Sequence, residues 1–118
     1  MAIHKKLSIY KAGYELLNLA TELSKNLPRH FKASIGGKIR DECVEVMVLI
    51  FRANCARNKA PHIDDLIEHV QIAELLFRLS HDKRFFSHEQ YAKLIELTDS
   101  IGRQASGWKK YAASSPAS

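Results

Sequence analysis

Glycine and proline are scarce in this sequence, with five glycines and three prolines among 118 residues. A sheet of short strands needs many turns built from these residues, so their scarcity argues against an all-β fold. Apolar residues instead recur every three or four positions over long stretches, which is the spacing of one face of an α-helix. At 46% apolar residues the chain can bury a core of the size expected for one domain. The sequence therefore predicts a single all-α domain over residues 1–118.

Long apolar runs and a disulfide framework are also lacking. The most apolar stretch, residues 44–51, is closed by Arg52 and is too short to span a bilayer, and no signal-peptide h-region is present. Cys43 and Cys55 lie about 18 Å apart along one predicted helix, so they cannot bridge each other within it. We expect a soluble, cytoplasmic protein with reduced thiols, Cys43 being a core residue.

Boundary residues divide the helical pattern into four segments. Pro28 ends the first helix, because proline cannot continue it. Asp64 and Asp65 suit the positive end of the third helix, and Ser87 with Gln90 has the spacing of a capping box for the fourth. Short connections make neighbouring helices antiparallel, which predicts an up-down-up-down four-helix bundle. The predicted helices cover about residues 7–27, 33–58, 63–80 and 87–111, followed by a flexible tail at 112–118.

The second predicted helix is apolar around almost its whole circumference. Seven of the eight residues from 44 to 51 are apolar, the exception being Glu45. Such a helix must be covered on more than one side, either by flanking helices of its own bundle or by another copy of the chain. We favour self-association, with an interface formed by Val44, Val48, Leu49 and Phe51.

The segment NLPRHFKASIGGKIRDE, residues 26–42, places a lysine after two glycines, as phosphate-binding loops do. A G-x-x-x-x-G-K-[ST] loop would need glycine at 32 and serine or threonine at 39, where this chain has Lys32 and Ile39. No predicted strand precedes the segment, so nucleotide hydrolysis is not predicted. A glycine inside a helix costs about 0.5–1 kcal/mol relative to alanine. We therefore interpret Gly36 and Gly37 as packing residues in the early turns of the second helix.

Metal-binding and catalytic patterns are weak. Of six histidines, only His62 and His69 share a helical face with an acid, Asp65, and three such ligands could in principle hold zinc. A solvated surface cluster is the commoner reason for this spacing. The Glu-x-x-His pairs of di-iron bundles are absent, and neither cysteine has a histidine positioned locally to activate it. We predict no metal, no cofactor and no enzymatic activity.

Basic charge is in excess, with 18 Lys and Arg against 13 Asp and Glu and a pI of about 9.3. In an up-down-up-down bundle this charge gathers at the two ends, while most acids lie along the helix bodies. Bundle ends of this kind can contact phosphates with salt-dependent, weakly sequence-specific affinity, although solvated lysines that aid solubility are the alternative. One end collects Arg29, Lys32, Lys38, Arg40, Lys83 and Arg84, opposed by Asp41 and Asp82. The other collects Lys5, Lys6, Arg57, Lys59, Lys109 and Lys110, opposed locally by Asp64 and Asp65.

Short motifs in a fixed order resemble a known family. They are LPR at 27–29, IGGKI at 35–39, FSHEQY at 86–91, IGR at 101–103 and GW at 107–108. Together they are similar to the Avd family, the accessory variability determinants of diversity-generating retroelements, over about residues 5–111. More distant relatives are the four-helix-bundle proteins encoded in intervening sequences of large ribosomal RNA genes.

The resemblance implies a homopentameric barrel of four-helix bundles that binds nucleic acid and a reverse transcriptase, without catalytic activity of its own. In that complex, template-repeat RNA is copied into adenine-mutagenised cDNA that replaces a variable region of a target gene. The alternative is a structural oligomer of the ribosomal intervening-sequence type with no polymerase partner. By position, the basic surfaces implied by the resemblance carry over to Arg29, Lys32, Lys38, Arg40, Arg103, Lys109 and Lys110, with Arg78 on the third helix and Glu74 interrupting a basic stripe there.

Overall fold

The computed structural model describes residues 7–114, and this part of the chain contains helices and no strand. The predicted all-α class is therefore confirmed. Lys5, Lys6 and residues 115–118 of the predicted tail lie outside the described residues. The helices are α1 (Leu7–Ser24), the short α2 (Arg29–Lys32), α3 (Ile35–Cys55), α4 (Ala60–Asp82) and α5 (His88–Ser114).

The four long helices form a closed ring in which α1 packs on α3, α3 on α4, α4 on α5, and α5 on α1. Neighbours run antiparallel: Thr98 of α5 contacts Glu74 of α4, whereas the later residue Lys109 contacts the earlier residue Asp64. The bundle measures 50 × 23 × 20 Å. This is the predicted up-down-up-down arrangement, and it places the α1–α3 and α4–α5 connections at the same end.

Each long helix contributes large side chains to one core. Leu16 of α1, Ile50 of α3, Phe77 of α4 and Ile101 of α5 are all at most 2% exposed. Burial of such side chains stabilises by about 1.5–3 kcal/mol each. None of the helices within residues 7–114 combines the length and the apolar character that crossing a membrane requires.

One glycine allows α1 and α3 to approach closely. A Cβ atom on Gly13 would lie 2.8 Å from Met47 Sδ and 3.0 Å from Ile50 Cδ1. Any side chain at this position would therefore force the two helices or their side chains apart. Our sequence reasoning did not identify this contact, because it depends on where α3 lies.

The two glycines at the start of α3 differ from each other. A Cβ atom on Gly36 would lie 3.2 Å from Leu27 Cδ1, so this glycine is the predicted packing residue. A Cβ atom on Gly37 would have only the Nη2 atom of Arg40 within 4 Å, at 3.9 Å. The interpretation of Gly37 as a packing residue was therefore wrong within the protomer.

The first helix ends earlier than predicted, at Ser24 rather than Leu27. Residues 25–27 form tighter turns instead, with the N–H of Leu27 donating to the carbonyl of Ser24 at 3.3 Å. The residue before a proline disfavours the α conformation, which explains why the helix does not reach Pro28. The predicted second helix was also too long at both ends, since 33–58 becomes Ile35–Cys55 and α2 precedes it as a separate turn.

The last two helices are longer than predicted. α4 begins at Ala60, because Pro61 occupies the first turn, where proline is tolerated, and it continues to Asp82. The capping box of α5 is confirmed: the Gln90 N–H donates to Ser87 Oγ at 3.1 Å, and the Ser87 N–H donates to Gln90 Oε1 at 2.8 Å. Residues 112–114 of the predicted tail are helical.

Candidate nucleic-acid interface

The two connections at one end of the bundle lie side by side. The rings of Phe31 and Phe85 are 5.0 Å apart between centroids and tilted by 39°, and Lys83 Nζ lies 5.9 Å from the centroid of Phe31. The chain segments around these rings carry one of the two groups of basic residues predicted at the bundle ends, the one that includes Arg29 and Arg84. We call residues 25–40 and 83–87 the basic end.

All the predicted cations of the basic end are exposed, and within residues 7–114 none of them forms an ion pair with a carboxylate. The adjacent Asp82 instead contacts Arg78, with 3.8 Å between Oδ2 and Nε. Unneutralised cations of this kind can each replace a counterion on a nucleic-acid phosphate. They are Arg29, Lys32, Lys38, Arg40, Lys83 and Arg84.

A groove of about 450 Å³ enters the basic end between α1 and α3. Lys25 also lines it but pairs with Glu22 at 3.1 Å, and the Ser24 hydroxyl donates to the Ala20 carbonyl at 2.7 Å. Lys32 and Arg40 therefore supply the cations of this groove that have no carboxylate partner among the described residues.

Two of the four described cations of the opposite end, Lys59 and Lys109, have partners within the protein, whereas Arg57 and Lys110 are exposed and form no ion pair among residues 7–114. Lys59 Nζ donates to the carbonyls of Ala53, Asn54 and Ala56 at 3.1, 3.1 and 2.9 Å, and so caps the C-terminus of α3. Lys109 Nζ pairs with Asp64 Oδ1. Sequence reasoning placed both lysines at this end, with Asp64 as an opposing acid, but did not identify the carbonyl contacts of Lys59 or which lysine pairs with Asp64.

The remaining predicted residues lie away from the basic end or beside acids. Arg103 and Lys110 line a groove of about 510 Å³ between α4 and α5, together with Glu74 and Asp99. Arg103 is fifteen residues into α5, about 22 Å from the start of that helix. The Glu74 carboxylate accepts a hydrogen bond from Thr98 at 2.7 Å, which holds this acid in place on α4. Glu74 therefore interrupts a basic stripe on that helix, as predicted. The predicted binding residues thus form two separate groups.

A comparison with protein families matches residues 1–112 to the bAvd-like family. The chain belongs to the bAvd-like family. Membership indicates an accessory protein of a diversity-generating retroelement, which is a non-catalytic type of protein. The resemblance based on short motifs is thereby confirmed. No match was found among curated proteins or among solved structures.

This bAvd-like protein also exposes an apolar surface on α1 and α3. Val44 and Phe51 are each 47% exposed, and Val48 is half-buried. Leu49 was wrongly included in the predicted interface, because it is 2% exposed and belongs to the core of its own protomer. Sequence reasoning missed two tyrosines one helical turn apart: Tyr10, whose ring lies 5.5 Å from that of Phe51, and Tyr14, which is 59% exposed. We call Tyr10, Tyr14, Val44, Val48 and Phe51 the α1/α3 face.

Two groups inside the bAvd-like bundle, His69 and Cys43, have raised pKa values. His69 Nδ1 lies 2.5 Å from Glu42 Oε1, and this hydrogen bond raises the pKa of His69 more than partial burial lowers it. Burial, and to a smaller extent the charge of Glu42, raises the pKa of Cys43 to about 12, so this thiol stays protonated. No three His, Cys, Asp or Glu side chains converge as metal ligands within residues 7–114. His62, Asp65 and His69, for which zinc binding was considered but not favoured, do not form such a ligand group, and His69 joins α4 to α3 instead.

Proposed function

We propose that this protein binds the reverse transcriptase and the template RNA of a diversity-generating retroelement, and so supports mutagenic reverse transcription and retrohoming in the cytoplasm. Membership in the bAvd-like family supports the accessory role. The basic end supports nucleic-acid binding. The protein acts by holding RNA and polymerase together and catalyses no step itself.

The observation that carries nucleic-acid binding is the group of six exposed cations without a carboxylate partner among residues 7–114. Phosphate contacts of this kind give affinity that falls steeply with salt and depends weakly on sequence. The template RNA would therefore be bound through its backbone. Selection of the correct RNA would come from the polymerase or from RNA shape.

Charge reversal at the basic end tests this proposal. The variant Lys32→Glu, Lys38→Glu, Arg40→Glu should lose at least about 10²-fold in RNA affinity at low salt, and its log–log salt slope should fall by about 2–3. The matched control is Arg57→Glu, Arg103→Glu, Lys110→Glu, which changes the net charge equally. It should lose less than about 5-fold, because Arg103 and Lys110 lie away from the basic end beside Glu74 and Asp99. A loss as large as that of the first variant would show that they bind RNA as the resemblance implies. Fluorescence anisotropy over a salt series measures both. Equal losses in the two variants would therefore show that RNA binding does not depend on the basic end alone.

Association with a reverse transcriptase separates the proposal from the alternative of a structural oligomer without a polymerase partner. Co-purification of this chain with the polymerase encoded by a neighbouring gene, next to a near-identical template and variable repeat pair, is the expected result. If no such gene and repeats lie nearby, the structural oligomer becomes the better explanation.

We further propose that the protein assembles as a homopentamer in which the α1/α3 face is buried. Its exposed aromatic and aliphatic side chains support this, since apolar patches on a protein surface commonly mark interfaces. Light scattering should give a pentamer for the wild type and smaller species for Phe51→Glu. Leu75→Glu is the control, because Leu75 is 66% exposed on α4, and this variant should stay pentameric. A monomeric wild type at micromolar concentration would contradict the assembly.

A further inference from the structure

We propose that the basic end binds single-stranded nucleic acid, with an unpaired base stacked on the Phe31 and Phe85 rings and the adjoining phosphates on the surrounding cations. This inference rests on the proposed nucleic-acid binding and specifies which form of nucleic acid the site takes. It follows from three observations: the ring pair, the backbone conformation of Arg84 and the absence of acids from both connections.

The ring pair is suited to a base. Phe86 is 3% exposed and belongs to the core. Phe31 and Phe85 are only half-buried, Phe85 packing against the edge of the core, and their rings meet between the two connections. Lys83 Nζ, 5.9 Å from the Phe31 centroid, is exposed and can turn from the ring towards a phosphate. Bases stack on aromatic side chains in single strands, while a duplex keeps its bases covered. The rings would add nothing to duplex binding.

Arg84 is in a backbone conformation that favours glycine, with φ of 65°. The turn is a Schellman motif at the end of α4: the Phe85 N–H donates to the Ser80 carbonyl at 2.8 Å, and the Arg84 N–H donates to the His81 carbonyl at 2.9 Å. Glycine fits this position without strain, yet the chain has an arginine whose guanidinium pairs with no carboxylate among the described residues. Because this strain is retained, we infer that the Arg84 side chain has a binding role rather than a role in stabilising the fold.

The charges around the rings match a phosphate backbone. Residues 28–34 and 83–87 contain Arg29, His30, Lys32, Lys83 and Arg84 and no acid. An acidic peptide would find the same cations but would have no base to place on the rings. Alternating flat bases and phosphates use both features, so the structure favours a single strand.

The test compares a roughly 12-nucleotide oligouridylate with an RNA duplex of the same length by fluorescence anisotropy. We expect the wild type to prefer the single strand by about 10-fold or more, and Phe31→Leu to remove about 10-fold from single-strand affinity with little change for the duplex. Tyr111→Leu, an exposed aromatic at the opposite end, is the control and should change neither. Arg84→Gly should weaken binding of both probes while the thermal midpoint stays the same or rises, which excludes unfolding as the cause.

Three results would overturn the inference. Equal affinity for both probes, unaffected by Phe31→Leu, would show that the basic end binds phosphates but does not stack a base. Competition by polyglutamate as effective as by oligouridylate would assign the site to an acidic protein partner. Failure to bind either probe would instead reject the proposed nucleic-acid binding itself. A circular-dichroism melt of each variant confirms that it is folded.

Discussion

The two ends of this bundle are both basic, but among the described residues only the opposite end uses some of its cations in contacts within the protein. At the opposite end, Lys59 and Lys109 are bound to helix carbonyls and to Asp64. At the basic end, uncharged groups close the helices: the Ser87 and Gln90 capping box begins α5, and backbone hydrogen bonds end α4. A count of lysines and arginines therefore does not locate a binding surface. The basic end differs in that all six of its predicted cations lack a carboxylate partner among residues 7–114.

The largest stability effect should come from Lys59. Lys59→Met keeps the apolar stem but removes a charged donor from three carbonyls at the C-terminal end of α3, so we expect a loss of about 1–2 kcal/mol in the free energy of unfolding. Lys32→Met, the matched change at the basic end, should stay within about 0.5 kcal/mol. Urea unfolding followed by circular dichroism measures both. Equal losses would mean that Lys59 and Lys32 contribute equally to the free energy of unfolding, so that the two ends do not differ in this respect.

A smaller effect is expected from the capping box. Ser87→Ala removes the acceptor for the Gln90 N–H and should cost about 1 kcal/mol of stability, while RNA affinity stays unchanged well below the melting temperature. Lys83→Ala, four residues earlier, should do the reverse by weakening RNA binding with little change in stability. Loss of RNA affinity in folded Ser87→Ala would show that structural and binding roles at the basic end are not separate.

The smallest effect concerns the Glu42 and His69 pair in the middle of the bundle. The pKa of His69 is raised by this pair, so its contribution is complete below the unfolded value of about 6.5 and is lost as the pH rises through the folded pKa. Glu42→Gln should therefore be less stable than the wild type by up to about 1 kcal/mol near pH 5.5, with a smaller difference at alkaline pH. Urea unfolding across this range provides the measurement. A difference that does not change with pH would contradict a charged His69 in the folded protein.

Local signals in the sequence were sufficient for several features. The capping box at Ser87 needs only two residues three positions apart, and apolar spacing identifies a helix without reference to the others. Leu49 shows the limit of such reasoning. Adjacent residues in a helix point about 100° apart, so a segment that is apolar all round does not reveal which side faces its own bundle. The left-handed backbone of Arg84 could not be predicted from the sequence either, because this conformation after a helix is normally recognised by a glycine.

The sequence by itself determined an all-α bundle, the antiparallel order of its helices and the concentration of basic residues at the ends, because periodicity, capping and short connections are properties of neighbouring residues. Only the tertiary structure decided which cations are free. Lys109 pairs with Asp64, which is 45 residues away in the chain, and the ring of Phe31 contacts the ring of Phe85, which lies in a different connection. Such pairings depend on distances between helices, which packing of the whole core sets and no local pattern encodes.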